Sequence, residues 1–385
     1  MRVLAACSLG GAGHLQPLLH LLDGARANGD ETLVVAPPAL ADMVAETGHP
    51  FATGGEPPEP AVAPIRERLP TAPAREASIL GNRELFGRLA ATAMLPAMDA
   101  IVADWWPDLV VRDPCEYASA VVALRRDLPM AQVAIGLADV EWGSIGVAAP
   151  ALEEHEPGVV DALRSSPYLS RFPASMDASR FVDTRRFRET ATHEHPSVVD
   201  WWNGSRAPLV YVSFGTVLGH MSIAAGVYAT MLEAVRTIDA RVLLTVGRRF
   251  DPSSLGPIPS NVHVEPWVDQ ADILPEADLV VCHGGSGTTF GALAAGVPLV
   301  VVPGFADQFA NGQRVAESGA GIAVDTRGSP DGPVQPVQLN DAPRITKAIR
   351  AVQADAAHRE HARRVAEEMA GAPDARSVLA GLLTE

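Results

Sequence analysis

Leu279-Val280-Val281-Cys282-His283-Gly284-Gly285-Ser286-Gly287-Thr288-Thr289 is the stretch that decides the fold of this 385-residue chain. The apolar run Leu279–Cys282 reads as a buried strand, and a glycine-rich turn then opens a helix through Gly291-Ala292-Leu293-Ala294. The first turn of a helix has unpaired N–H groups at the positive end of its dipole, which favours an anion there. Glycines let a phosphate approach the backbone, and His283, Ser286 and Thr288 add side-chain donors. In isolation, a turn serving packing alone would look the same.

Two neighbours share its logic. Upstream lies Val264-Glu265-Pro266-Trp267-Val268-Asp269-Gln270, and downstream Val300-Val301-Val302-Pro303-Gly304-Phe305-Ala306-Asp307-Gln308. Each puts polar or aromatic residues just past a strand's carboxyl end, where open α/β sheets bind ligands. Trp267 offers a face for a flat base, residues 283–288 a seat for phosphates, and Asp307-Gln308 partners for hydroxyls. Together they describe a nucleotide-sugar.

The rest of the chain repeats the strand–turn–helix pattern. Residues 2–8 read as a buried strand, 9–16 as a Gly-rich turn, Pro17 to Asn28 as a helix and Glu31 to Ala36 as the next strand. This is a doubly wound opening. Thr53 to Pro73, rich in Pro, Gly and Glu, reads as a disordered loop or a lid. Helical spacing fills 82–103, strands 108–112 and 131–135 follow, and 150–190 looks irregular. At Leu209 the pattern restarts with an apolar strand and a Gly215-Thr216 turn, followed by strands at 241–246, 262–265, 279–282 and 298–302. The expected organisation is a first Rossmann-like domain over 1–190, a linker over 191–207, a second such domain over 208–365 and a final helical piece over 366–385.

Length suits two domains. Net charge is −16, which disfavours nucleic acid and anionic membranes as partners. Cys7, Cys115 and Cys282 stand apart with no metal-ligand spacing, as for buried thiols in a reducing compartment. No run reaches the roughly 18 apolar residues of a membrane span, and the apolar start is too short for a signal peptide. The expectation is a cytoplasmic protein.

The block from Trp267 to Gln308 resembles the donor-binding signature of the family 1 glycosyltransferases with the GT-B fold, most of all the actinobacterial enzymes that decorate natural products. The resemblance implies two facing Rossmann-like domains with a cleft that closes on substrate, and a last helix that returns to the first domain. It implies that Trp267 and Val268 meet the nucleobase, and that Gly215, Thr216, His283, Gly285, Ser286, Gly287 and Thr288 hold the diphosphate. Asp307 and Gln308 would bind the sugar hydroxyls, and His283 would share a proton with the leaving diphosphate. The family commonly has Pro where this chain has Asp269. Plant relatives using uridine diphosphate sugars have a Glu for the ribose diol where this chain has Gly291, so Gly291 favours a thymidine diphosphate donor.

On the acceptor side, Gly13-His14-Leu15-Gln16-Pro17 matches the family's Gly-His-x-x-Pro, whose His is the general base. An imidazole at a helix start resists protonation, because the dipole disfavours positive charge there. A carboxylate should orient its second ring nitrogen. Asp113 matches the family's position, Asp139 is a second choice, and Asp113 before Pro114 also reads as a helix N-cap. Trp142, with residues 54–80 and 150–175, would line a wall for a hydrophobic aglycone, and an exposed apolar face of that kind permits a homodimer.

Rival readings fare worse. Leu9-Gly10-Gly11-Ala12-Gly13-His14 fails the dinucleotide fingerprint, because Gln16 stands where Gly or Ala is required. Residues 284–288 are no nucleophile elbow, since Thr288 replaces the last Gly. A GT-B-fold sugar-nucleotide epimerase, a transferase using uridine diphosphate sugars and a non-catalytic helper protein stay as alternatives. The expected activity is inverting transfer of a deoxysugar from a thymidine diphosphate donor to a small apolar aglycone, with no metal and no cofactor.

Overall fold

The computed structural model describes residues 1–9, 11–189, 200–216, 218–325 and 337–382. Residues 191–199 of the expected linker lie outside them. The described chain divides into two α/β units, the C-terminal residues after Gly371 belonging with the first.

The first unit is built on seven parallel strands: β1 (Arg2–Ala6), β2 (Glu31–Ala36), β3 (Phe51–Thr53), β4 (Leu109–Arg112), β5 (Met130–Val133), β6 (Tyr168–Ser170) and β7 (Thr184–Arg186). Their order is β3-β2-β1-β4-β5-β6-β7, so the winding reverses between β1 and β4. Both faces of the central strand β1 are covered, which is why its residues 3–6 are continuously apolar. Val3 and Ala5 pack with Leu15, Leu18 and Leu22 on one face. Leu4 and Ala6 meet Met94, Met98 and Val102 on the other.

Several elements depart from the sequence reading. The first helix spans Ala12–Ala27, beginning before Pro17, because Gly11 already accepts from the His14 and Leu15 amides. Instead of a lid, a helix spans Glu59–Arg68, with Pro60 in its first turn where the missing N–H costs little. Its Ile65 packs with Ala72 and Leu80. The supposedly irregular 150–190 begins inside a helix, Ala138–His155, which carries Pro150 within it. A further helix, Val159–Ser165, and then β6 and β7 follow.

One helix runs from Ala74 to Trp105 and is long and apolar enough, by length and composition, to cross a membrane, which the sequence reading did not anticipate. Its last part buries Met94, Met98 and Val102 against the sheet. Its middle, Ile79–Ala90, is π-helical.

The last helix, Ala375–Gly381, lies on the first: a Cβ at Gly24 would fall 2.9 Å from the Arg376 nitrogen. The helix before it, Ala356–Ala370, stays with the second unit, so the return begins past the expected 366 boundary.

The second unit holds β8 (Leu209–Ser213), β9 (Arg241–Thr245), β10 (Val262–Glu265), β11 (Leu279–Cys282), β12 (Leu299–Val301) and an unanticipated β13 (Gly321–Ala323). The order is β10-β9-β8-β11-β12-β13, all parallel, with the reversal between β8 and β11.

Candidate active site

Strand-order reversals leave a crevice at the carboxyl ends of the two flanking strands. In the first unit that position receives His14, in the opening turn of the helix after β1, and Asp113, directly after β4. Nδ1 of His14 lies 3.2 Å from Oδ1 of Asp113. Asp113 is wholly buried, and its two oxygens also accept the Ser8 and Cys115 amides, each at 2.7 Å. Burial alone would raise its pKa, but His14 and the two amides outweigh that and hold it below the usual aspartate range. An ionised carboxylate only accepts, so Nδ1–H of His14 donates and Nε2 is the acceptor nitrogen of the neutral ring.

Asp113 is not a helix cap. The following helix starts at Ala118, and Glu116 takes that role by accepting the Ala118 and Ser119 amides at 2.9 and 3.2 Å. Asp139 is half exposed and is paired with Arg180 at 3.2 Å. Cys115, isolated in sequence, is not isolated in space. Donor atoms of His14, Asp113 and Cys115 lie within 4.8 Å of one another, the one such group among the described residues. Asp113 already serves two amides and the imidazole, so the arrangement suits holding His14 better than coordinating an ion.

Beneath lies a buried polar chain that no local pattern announces. Arg112 donates to Gln132 Oε1 at 2.7 Å, and Gln132 Nε2 donates to Glu141 at 2.9 Å. Burial pushes Glu141 up to about 8 against the pull of the Gly136 and Ile135 amides. Trp142, expected on the acceptor wall, meets Phe181 edge-on and carries the Arg164 guanidinium on its ring. The aromatic ring on His14 is instead Phe86, with centroids 6.0 Å apart and planes 27° apart.

In the second unit the reversal receives Gly215-Thr216 after β8 and His283 after β11. The imidazole of His283 is slotted between glycines. A Cβ at Gly285 would fall 2.4 Å from its Nε2, and one at Gly215, with φ +72°, 2.9 Å from its Cε1. The residue is half-buried and its Nδ1 is enclosed. Burial pushes its pKa down to about 4, the Ser213 carbonyl opposing, so at neutral pH the ring is uncharged.

The helix Ser286–Ala294 begins directly after, with Gly287 exposed and Ser286 and Thr288 buried. Ser286 Oγ donates to Asp307 at 3.0 Å. Buried Asn311, which the sequence reading passed over, donates to Gly284 O, Ser286 Oγ and Asp307 at 2.8, 3.0 and 3.1 Å. Gln308 is also buried, its Oε1 accepting the Gly304 and Phe305 amides at 2.8 and 3.0 Å. Asp307 and Gln308 thus shape their own loop, which holds Ala306 at a left-handed φ of +54°.

Trp267 is 46% exposed, and the Arg248 guanidinium sits 4.3 Å from its ring centroid. Val268 is half-buried and Thr216 exposed. Asp269 caps the turn at Gln270 by accepting the Ala271 amide at 2.9 Å, an N-cap role that proline cannot fill. Gln270 Nε2 then donates to Thr288 Oγ1 at 3.0 Å, tying the tryptophan loop to the glycine-rich helix. A Cβ at Gly291 would fall 3.3 Å from Leu274 Cδ1.

Two parallel α/β sheets of this order, with these residues at their reversals, place the chain among the GT-B glycosyltransferases. It belongs to the erythromycin biosynthesis protein CIII-like family, whose N-terminal domain matches residues 24–207 and whose C-terminal domain matches 229–384. It is similar to the L-demethylnoviosyl transferase of Streptomyces niveus, with 30% identity over 100% of this chain and 98% of that one. It is similar also to the elloramycin glycosyltransferase of Streptomyces olivaceus, with 31% identity over 100% and 97%. Among solved structures it superposes on the Streptomyces sp. SF2575 glycosyltransferase SsfS6 complexed with thymidine diphosphate, with a TM-score of 0.75, 24% identity and 100% of both chains covered. The protein is a glycosyltransferase of the antibiotic-biosynthesis type.

Proposed function

We propose that the protein transfers a deoxysugar, with inversion, from a thymidine diphosphate donor to a hydroxyl of a small hydrophobic aglycone. The His14–Asp113 pair carries this reading. The acceptor proton passes to Nε2 of His14, the acceptor oxygen bonds to the anomeric carbon, and the bond from that carbon to the diphosphate oxygen breaks on the opposite face. Asp113 stabilises the imidazolium that forms.

The leaving diphosphate is met by the amides that open the helix Ser286–Ala294 and by neutral His283, so the reaction proceeds without a metal. Trp267 stacks on the base, with Arg248 already on its ring. Two observations support thymidine over uridine diphosphate: Leu274 crowds the base of any side chain at 291, and SsfS6 binds thymidine diphosphate.

Calorimetric titration of thymidine and uridine diphosphates in EDTA tests the donor, and NMR of the product's anomeric proton tests inversion. Thymidine diphosphate is expected to bind tightly without metal, and Trp267→Ala to lose that binding. Preference for uridine diphosphate, or binding that needs added Mg²⁺, would overturn the donor half. A His14→Ala variant with undiminished turnover would overturn the base.

A further inference from the structure

We infer that Phe86 is a positioning residue for His14, and that the π-helical segment carrying it serves to hold the imidazole in its working plane; this rests on His14 acting as the base. A hydrogen bond to Asp113 fixes one edge of the imidazole and leaves rotation about the Nδ1–oxygen line. A ring laid against the imidazole's face removes that freedom. Phe86 supplies it, 6.0 Å away between centroids and 27° from parallel, within the range of offset aromatic pairs. With Nδ1 on Asp113 and one face on Phe86, the ring plane and the direction of Nε2 are set. The His14 side chain is 23% exposed, so the site stays open to substrate.

The backbone under Phe86 points the same way. Residues Ile79–Ala90 form a π-helix inside an otherwise α-helical run. Such segments pack their backbone less well, persist where other contacts hold them, and cluster at functional sites. Their wider turn moves each side chain round the axis relative to an α-helical register. Here the segment is fastened beside Phe86 on three counts. Gly87 lies so close to the helix Ala138–His155 that a Cβ would come 3.3 Å from Ala148 Cβ. His155 Nε2 donates to the Gly87 carbonyl at 2.9 Å. Arg88 pairs with Glu154, Nη2 to Oε1, at 3.0 Å. Together they set where Phe86 stands.

The test compares Phe86→Leu, which keeps bulk but not the ring, with Phe86→Tyr, which keeps both. His14→Ala serves as the control, and thermal melts confirm folding. Two readouts are taken: the pH profile of turnover, and the NMR shifts of the His14 ring protons in the free protein. We expect Phe86→Leu to lose the ring-current shift at His14, to displace the acid limb of the profile and to lower kcat about 10–100-fold with donor KM unchanged. Phe86→Tyr should return kcat to within about threefold of wild type. A folded Phe86→Leu with wild-type kcat, pH profile and His14 shifts would overturn the inference while leaving the base in place. Undiminished activity in His14→Ala would overturn the reading beneath it.

Discussion

Nδ1 of His14 stands 3.2 Å from Oδ1 of Asp113, and that carboxylate has no exposed surface. Replacing Asp113 by Asn keeps the shape but offers an N–H where an acceptor is needed, so His14 turns to the wrong tautomer. By analogy with serine-protease triads, kcat should fall about 10²–10⁴-fold with donor KM little changed. Asp113→Ala should in addition cost about 2–5 kcal/mol of stability, because the Ser8 and Cys115 amides lose their acceptor. Steady-state kinetics and urea unfolding read the two effects separately. Full turnover in Asp113→Asn would remove Asp113 from the mechanism.

The two glycines around His283 make a second prediction. A methyl at Gly285 would fall 2.4 Å from Nε2, so the imidazole must leave its slot. Gly285→Ala should cost about 1–3 kcal/mol as an overpacked site and weaken thymidine diphosphate binding at least tenfold. Gly287 has nothing within 4 Å of its Cβ position, so Gly287→Ala should leave stability near wild type and serves as the control. Wild-type calorimetric affinity in a folded Gly285→Ala would show that His283 does not shape the diphosphate seat.

What the sequence revealed and what it hid follow from how far apart the partners lie. Strands buried on both faces, such as Leu279–Cys282 and Leu209–Ser213, read as apolar runs, and the glycines after them mark turns. His14, Asp113, Trp267 and His283 were therefore visible at strand ends. Phe86 was not: its partner lies 72 residues away, and the π-helix that presents it leaves no periodicity to recognise. Gln270 and Thr288 meet across 18 residues, and Gln132 joins Arg112 to Glu141 from different elements. Prolines misled in both directions. Pro17 was read as a helix start and the Pro-rich 53–73 as a disordered loop or a lid, yet Pro17 lies inside the helix Ala12–Ala27, and Pro60 and Pro64 lie within the helix Glu59–Arg68. Asn311 did leave a signal, one helical turn after Asp307, because residues so spaced share a face.

Glu141 gives the protein a pH dependence of known sign. Burial raises its folded pKa to about 8 from an ordinary 4.5, so the folded state holds a proton that the unfolded chain releases. Its contribution is fully present below 4.5 and is lost as pH rises to about 8. In that window the loss approaches about 1.4 kcal/mol per pH unit. Glu141→Gln, which cannot ionise, should narrow its stability gap to wild type steadily from pH 5 to pH 8, as urea midpoints at matched ionic strength will report. A gap that stays constant with pH would mean the carboxyl is already ionised among its three N–H donors.

Donor choice can be tested at a single contact. A Cβ at Gly291 would meet Leu274 Cδ1 at 3.3 Å, a separation at which the leucine must give way by a few tenths of an ångström. If Gly291 is small because the natural donor carries deoxyribose, adding a carboxylate alone should not create uridine diphosphate preference, since Leu274 crowds its base. Gly291→Glu is therefore expected to weaken both nucleotides. Adding Leu274→Ala frees the space, and a carboxylate accepting from both ribose hydroxyls should then raise the uridine-to-thymidine affinity ratio about tenfold or more. Calorimetry on wild type, the two single variants and the double variant closes the cycle. A single Gly291→Glu that already prefers uridine diphosphate would show that Leu274 is no barrier. A double variant with the wild-type ratio would show that position 291 does not face the ribose.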